Sequence, residues 1–323
     1  MRYRKVGNKD VSVIALGAML MGSVTDESTS FAILDRFVEA GGTFIDTSNN
    51  YAFWVDGGTG GQSEELLGRW RRSRGVGDEI VISTKVGARP VAPGLSYVDD
   101  AEGLSAKVIR EQAEISRERL GVERIDLYYS HIEDRSVELE ETVQAFGELV
   151  QDGVVGMLGV SNHPIWRVER ARQIAGGLGL AGYEVLQYQH SYLRPRFDVP
   201  ESIFRDGSLG HAGAELLSYL RLDPAMTLVA YSPLMGGVYT RADKKIPYDY
   251  EHPGTAKRLA VLKEIAEETG ATANQVVLAW QLGHELAIVP LVGASSVAQL
   301  DETLGALDVE LTEDQRARLD AVN

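Results

Sequence analysis

Short β-branched runs alternate with amphipathic stretches almost to the end of the chain. Runs of this length and composition predict strands over Val13–Leu16, Thr43–Asp46, Ile80–Lys85, Ile125–His131, Val155–Ser161, Val185–Gln189, Thr227–Tyr231 and Ala287–Val292. Between them, apolar residues at helical spacing predict helices over Ser28–Ala40, Ser63–Arg72, Ser105–Leu120, Leu139–Asp152, Ile165–Ala175, Ala212–Leu220, Thr255–Thr269 and Ala273–Leu282. Val297–Ala306 and Glu313–Ala321 close the chain. Start and stop signals agree: Ser105 opens one helix, while Gly121 and Gly153 each follow another. Strand followed by helix, repeated eight times, implies parallel βαβ units and fits a closed barrel better than an open doubly wound sheet.

The expected architecture is therefore α/β: a single-domain (β/α)8 TIM barrel with an N-terminal hairpin cap from residues 1–11 and an extra C-terminal helix. No linker rich in Pro, Gly or Ser divides the chain. Two long connections, Asn49–Gly61 and Leu234–Pro253, fall after strands, on the face where barrels bind their ligands. The basic start Met1–Lys5 and the apolar run Val11–Gly22 imitate a signal peptide. The polar Gly7–Asp10 between them, and the lack of a cleavage pattern, favour a cytoplasmic protein. At twelve residues the run is also too short to cross a bilayer.

Composition narrows the function. The 323 residues include 32 Lys+Arg against 47 Asp+Glu, a net charge of −15, which argues against nucleic acid as the main partner. Absence of cysteine excludes disulfides, thiolate metal sites and a cysteine nucleophile. The histidines share no ligand spacing, so no metal is expected. Gly177–Gly182 matches G-x-G-x-x-G, but a helix precedes it and a strand follows, so it reads as a turn. The Gly57–Gly61 run reads as flexibility in a substrate loop, and Arg69, Arg71, Arg72 and Arg74 as a solvated helix end.

Polar side chains gather at the ends of the apolar strands: Asp46, Lys85, His131, Ser161, Asn162, Gln187, Tyr231 and Ser232, with Tyr51 five residues beyond Asp46. A phenol is a weak acid, and a lysine ammonium beside it lowers its pKa while a carboxylate holds the lysine. An imidazole can orient a carbonyl oxygen. Asp46, Tyr51, Lys85 and His131 thus compose a proton donor with its supports, and the electron source must come from a cofactor. Each also has a plainer reading: Asp46 as a turn cap, Tyr51 as a loop aromatic, His131 as a bonded interior histidine, Lys85 as a strand-end or Schiff-base lysine.

The segments Phe44–Tyr51, Ser63–Gly68, Ser83–Lys85, Asp126–His131, Gly159–Asn162, Tyr231–Leu234 and Gly293–Ser296, in this order, resemble the aldo-keto reductases over essentially the whole chain. The resemblance implies reduction of aldehyde, ketone or sugar-like carbonyls by a nicotinamide cofactor, NADPH or alternatively NADH, on small molecules and without a membrane. It implies Tyr51 as general acid, Lys85 and Asp46 as its tuning pair, and His131 as the group that positions the carbonyl. Ser161, Asn162 and Gln187 would bind the carboxamide, Tyr231 would stack on the ring, and Ser232 and Leu234 would line the pyrophosphate path. Gly293, Ser295, Ser296, Gln299 and Thr303 would surround the adenosine end. Ser295 and Ser296 stand where many relatives carry Arg or Lys, which puts the 2′-phosphate in question. Met19, Phe53, Trp54 and Trp166 are candidates for an apolar substrate wall. Two other readings are a Schiff-base barrel aldolase using Lys85 and a nicotinamide-binding regulatory subunit with slow turnover. The oligomeric state is not legible.

Overall fold

The computed structural model describes residues 1–92, 94–95, 99–196, 198–199 and 210–322. Strands β1 (Tyr3–Val6) and β2 (Lys9–Ser12) pair antiparallel as a hairpin. The next eight are β3 (Ala15–Gly17), β4 (Phe44–Asp46), β5 (Val81–Val86), β6 (Ile125–Ser130), β7 (Val155–Ser161), β8 (Tyr183–Gln189), β9 (Thr227–Tyr231) and β10 (Ile288–Gly293). They close a parallel barrel in chain order, with β10 returning to β3. Around them lie α1 (Glu27–Glu39), α2 (Gln62–Arg74), α3 (Ala106–Leu120), α4 (Leu139–Gln151), α5 (Ile165–Leu178), α6 (Ala214–Leu222), α7 (Pro253–Thr269), α8 (Ala273–Leu282), α9 (Val297–Leu304) and α10 (Glu313–Ala321).

Capping residues set the helix limits. Ser105 caps α3 by accepting from the Val108 amide, and Gly121 ends it in the left-handed region. Thr272 with Gln275, and Thr312 with Gln315, form reciprocal capping boxes that start α8 and α10. The Gly177–Gly182 stretch is the end of α5, with Gly179 as its left-handed cap, and the turn into β8, as expected from its order.

Two apolar layers hold the barrel. The outer one packs strands against helices, for example Tyr128, Phe146 and Tyr183 between β6, α4 and β8. The inner one fills the barrel with Ala15, Phe44, Val81, Leu127, Met157, Val185, Val229 and Val289. Val6 and Val11 of the hairpin belong to this inner layer and are fully buried. Burying a valine contributes roughly 1.5–3 kcal/mol, so the hairpin is a structural plug at the N-terminal floor. Arg4 fastens it by donating to the Ile288 carbonyl (2.8 Å).

The first strand departs from expectation. Val13 and Ile14 are buried but precede β3, because Ser12 bonds Thr43 and the chain bends there before entering the barrel. The Gly57–Gly61 run holds two glycines that the backbone itself requires. A Cβ on Gly58 would sit 1.9 Å from the Ala52 carbonyl oxygen, and one on Gly61 would sit 2.5 Å from the Arg119 guanidinium. Close approach of backbone requires glycine at 58, and Gly61 is required by its left-handed backbone, φ 95°, at the start of α2.

Candidate active site

The barrel register brings the polar strand ends to one height. Asp46 lies beside Ser83, Lys85 beside Tyr129, Ser161 beside Gln187 and Gln189 beside Tyr231. These are the C-terminal ends of their strands, and a cavity of about 730 Å³ opens above them.

Lys85 is fully buried and donates three hydrogen bonds, to Asp46 Oδ2 (2.5 Å), the Thr47 carbonyl (2.8 Å) and Tyr51 Oη (2.6 Å). Asp46 is held from its other side by Ser83 (2.7 Å) and Gln187 (2.8 Å). Tyr51 Oη lies 3.3 Å from Asp46 Oδ2, to which it donates. Thr47 is anchored by Ser63 (2.6 Å) at the first turn of α2, which also bonds the Ala18 carbonyl (2.7 Å). The expected tetrad is thereby assembled from β4, β5, the β4–α2 loop and the residue after β6.

The electrostatics differ from the sequence expectation in one respect. Burial, reinforced by Asp46, pushes the Tyr51 phenol well above the ordinary tyrosine range, instead of Lys85 drawing it down. The ammonium is already committed to Asp46, so its field at the phenol is largely cancelled. Lys85 itself sits below the ordinary lysine value because it is desolvated, with Asp46 opposing the shift. Burial and the charge of Lys85 hold His131 well below the usual imidazole range, so it is neutral. Its ring meets that of Tyr51 edge-on at 6.1 Å.

The rest of the cavity wall contains most of the expected residues. Met19, Trp54, Ser161, Asn162, Gln187, Tyr231, Ser232, Leu234, Gly293, Gln299 and Thr303 all line it, as does Phe53, which packs edge-on against Trp54 at 5.0 Å. Trp166 is exposed at the start of α5 and is not part of the wall. Ser295 and Ser296 are also outside it. The Ser295 amide and hydroxyl both donate to Gln299 Oε1 (2.8 and 3.0 Å), and Ser296 caps α9. Asn50, Ile132, Gln189, Met235, Asn274 and Glu302 line the cavity without having been singled out as binding residues. Gln189 was readable in principle, two residues beyond Gln187 on one strand face. Asn274 was not, since it arrives from the first turn of α8.

Backbone strain concentrates here. Among the described residues, the non-glycine residues with positive φ are Ala52, Asn162, Ser232 and Met235, and the last three line the cavity. A nicotinamide dinucleotide fits this wall. Ser161, Asn162 and Gln187 offer a hydroxyl and amides beside the tetrad, and a Cβ on Gly236 or Gly293 would meet nothing within 4 Å. Among the described residues no lysine or arginine lines the cavity, and its acidic members are Asp46 and Glu302.

A closed eight-stranded parallel barrel with its polar groups gathered at the C-terminal strand ends has the architecture of a (β/α)8 barrel enzyme. The chain belongs to the aldo/keto reductase family of oxidoreductases, whose model matches residues 13–323. It is 32% identical over 324 residues to norsolorinic acid reductase stcV of Emericella nidulans, covering 94% of this chain and 76% of that protein. Aldo-keto reductase str7 of Strobilurus tenacellus is 32% identical over 341 residues, covering 97% and 89%. Aryl-alcohol dehydrogenase [NADP(+)] of Phanerodontia chrysosporium is 28% identical over 322 residues, covering 94% and 80%. Among the described residues no helix is long and apolar enough to cross a membrane.

Proposed function

We propose that the protein is a cytoplasmic reductase of small aldehyde, ketone or sugar-like carbonyls that uses NADPH, with NADH as the alternative. The observation that carries this reading is the Asp46–Lys85–Tyr51 chain of hydrogen bonds ending on a cavity that His131 also lines. The NADP(+) in the name of the Phanerodontia relative supports the choice of NADPH. When bound, the reduced nicotinamide supplies a hydride to the carbonyl carbon.

The chain's own residues do the rest. Tyr51 holds its proton firmly until charge develops on the carbonyl oxygen, then delivers it. Lys85 stabilises the phenolate left behind, and Asp46 keeps Lys85 aimed at it. His131 positions the carbonyl end of the substrate. Ser161, Asn162 and Gln187 hold the carboxamide, Tyr231 stacks on the ring, and Gly293, Gln299 and Thr303 border the adenosine end.

A Schiff-base aldolase would need Lys85 as a free amine facing the substrate. Here its three hydrogens are committed and its surface is covered, which supports the reductase instead. Replacing Tyr51 by Phe removes the proton donor and should lower kcat by about 10²–10⁴-fold. Fluorescence titration with NADPH and with NADH should give affinities equal to those of the unaltered protein. Loss of cofactor binding along with turnover would overturn the role given to Tyr51.

A further inference from the structure

The Ser63–Gly68 segment carries a residue that the proton-transfer site leaves unexplained. Glu64, in the first turn of α2, is fully buried. Carboxylates are almost never enclosed so completely without partners, and each of its oxygens has one. Oε1 accepts from the Thr84 hydroxyl (2.6 Å), and Oε2 from Arg119 Nη1 at the end of α3 (3.0 Å). Thr84 precedes Lys85 on β5, and successive strand side chains point to opposite faces. Thr84 therefore turns outward to Glu64, while Lys85 turns inward to Asp46 and Tyr51. Glu64 is fixed behind Lys85, across a strand whose every residue is buried. Two anions thus bear on the ammonium: Asp46 in contact with it, and Glu64 across β5 with no solvent to screen it. Both strengthen the lysine's hold on its proton, against the burial that weakens it. Among the described residues, Tyr51 and His131 face Lys85 from the cavity, and the Tyr129 ring lies 5.8 Å from it. On the other side, Tyr128 lies in the field of Glu64 and Glu102, and Glu65 reaches Arg119 at 3.9 Å.

We infer that Glu64 is a positioning residue of the proton-transfer site: clamped by Thr84 and Arg119, it is a second fixed anion that keeps Lys85 an ammonium while Tyr51 gives up its proton. This rests on the reductase reading. When the proton passes from Tyr51 Oη to the carbonyl oxygen, the phenolate left behind is stabilised by the full positive charge beside it. Asp46 divides its oxygens among Lys85, Tyr51, Ser83 and Gln187. Glu64 adds its field without taking any of the three ammonium hydrogens, which go to Asp46, Thr47 and Tyr51.

Two measurements test it. The first follows the ¹³Cε NMR signal of Lys85 in lysine-labelled, cofactor-free protein as the pH is raised, the signal being identified by its loss in Lys85→Met. In Glu64→Gln, which keeps an acceptor for Thr84, Lys85 should release its proton earlier by about half a pH unit or more. In Arg119→Gln the carboxylate stays, and the lysine should hold its proton to the same pH or higher. A clasp that only ties α2 to α3 is loosened by both variants and would not separate them in this way. An unchanged lysine in Glu64→Gln, or an earlier release in Arg119→Gln, overturns the inference. If Glu64→Gln does not fold, Glu64→Gln/Arg119→Met removes both charges together and should show the same early release. The second measurement is kcat for benzaldehyde against pH, with NADPH and with NADH. Its basic limb should move down in Glu64→Gln by the same amount, roughly a threefold loss on that side. A limb that stays in place while the lysine titration moves overturns the part given to Glu64 in proton transfer. If benzaldehyde is reduced with neither cofactor, the kinetic arm falls with the reductase reading, whereas the NMR titration decides the field at Lys85 independently.

Discussion

Lys85 spends every hydrogen of its ammonium on Asp46, Thr47 and Tyr51, with no surface open to solvent. A pair this deeply enclosed is expensive to break from one side. Lys85→Met strands the Asp46 charge and should cost about 3–5 kcal/mol of unfolding free energy in urea titrations. The double variant Asp46→Asn/Lys85→Met removes both charges and should recover most of that loss. Recovery of none would mean that packing, not charge, dominates the site. Asp46, Tyr51, Lys85 and His131 were legible in the sequence because each is a polar residue closing or following an apolar run, in a pattern shared with a family. What the letters did not show was direction: whether the phenol is drawn down by Lys85 or pushed up by burial.

At the scale of elements, the end of β7 shows how one side chain supports a strand end that lines the cavity. His163 follows Ser161 and Asn162, donates from Nδ1 to the Ser161 carbonyl (2.7 Å) and accepts at Nε2 from Ser130 (3.2 Å). Burial lowers its pKa from 6.5 to about 4. Between these values the unfolded state binds a proton that the folded state refuses, so stability falls as pH falls; above about 6.5 the contribution is flat. The full span corresponds to about 3 kcal/mol. Denaturant titrations from pH 7 down to about 4 should show this loss in the unaltered protein and a smaller one in His163→Gln; equal losses would assign the acid sensitivity elsewhere. Element limits were readable where capping chemistry is explicit, as at α8 and α10, both found over the expected residues. They were misread where a tertiary bond overrides local pattern, as where Thr43 bonds Ser12 and delays the first barrel strand.

For the whole molecule, eight strand–helix repeats were enough to give the barrel, because closure is what that count of parallel units allows. The division of its two ends is also plain: a hairpin with Val6 and Val11 stabilises one, and loop residues with positive φ line the cavity at the other. That wall has a kinetic consequence. A protein of net charge −15, with no lysine or arginine among the described cavity residues, presents an anionic dinucleotide with a repulsive approach. Salt weakens most phosphate recognition, but here it screens repulsion, and the Debye length shrinks from about 30 Å at 0.01 M to about 10 Å at 0.1 M. Stopped-flow association of NADPH should therefore quicken over that range. A slowing would reveal a steering cation outside the wall. Faster loading in salt is the behaviour of a gate whose barrier is made of like charge, and it ties the pace of cofactor exchange to the ionic strength around the protein rather than to the site's own contacts.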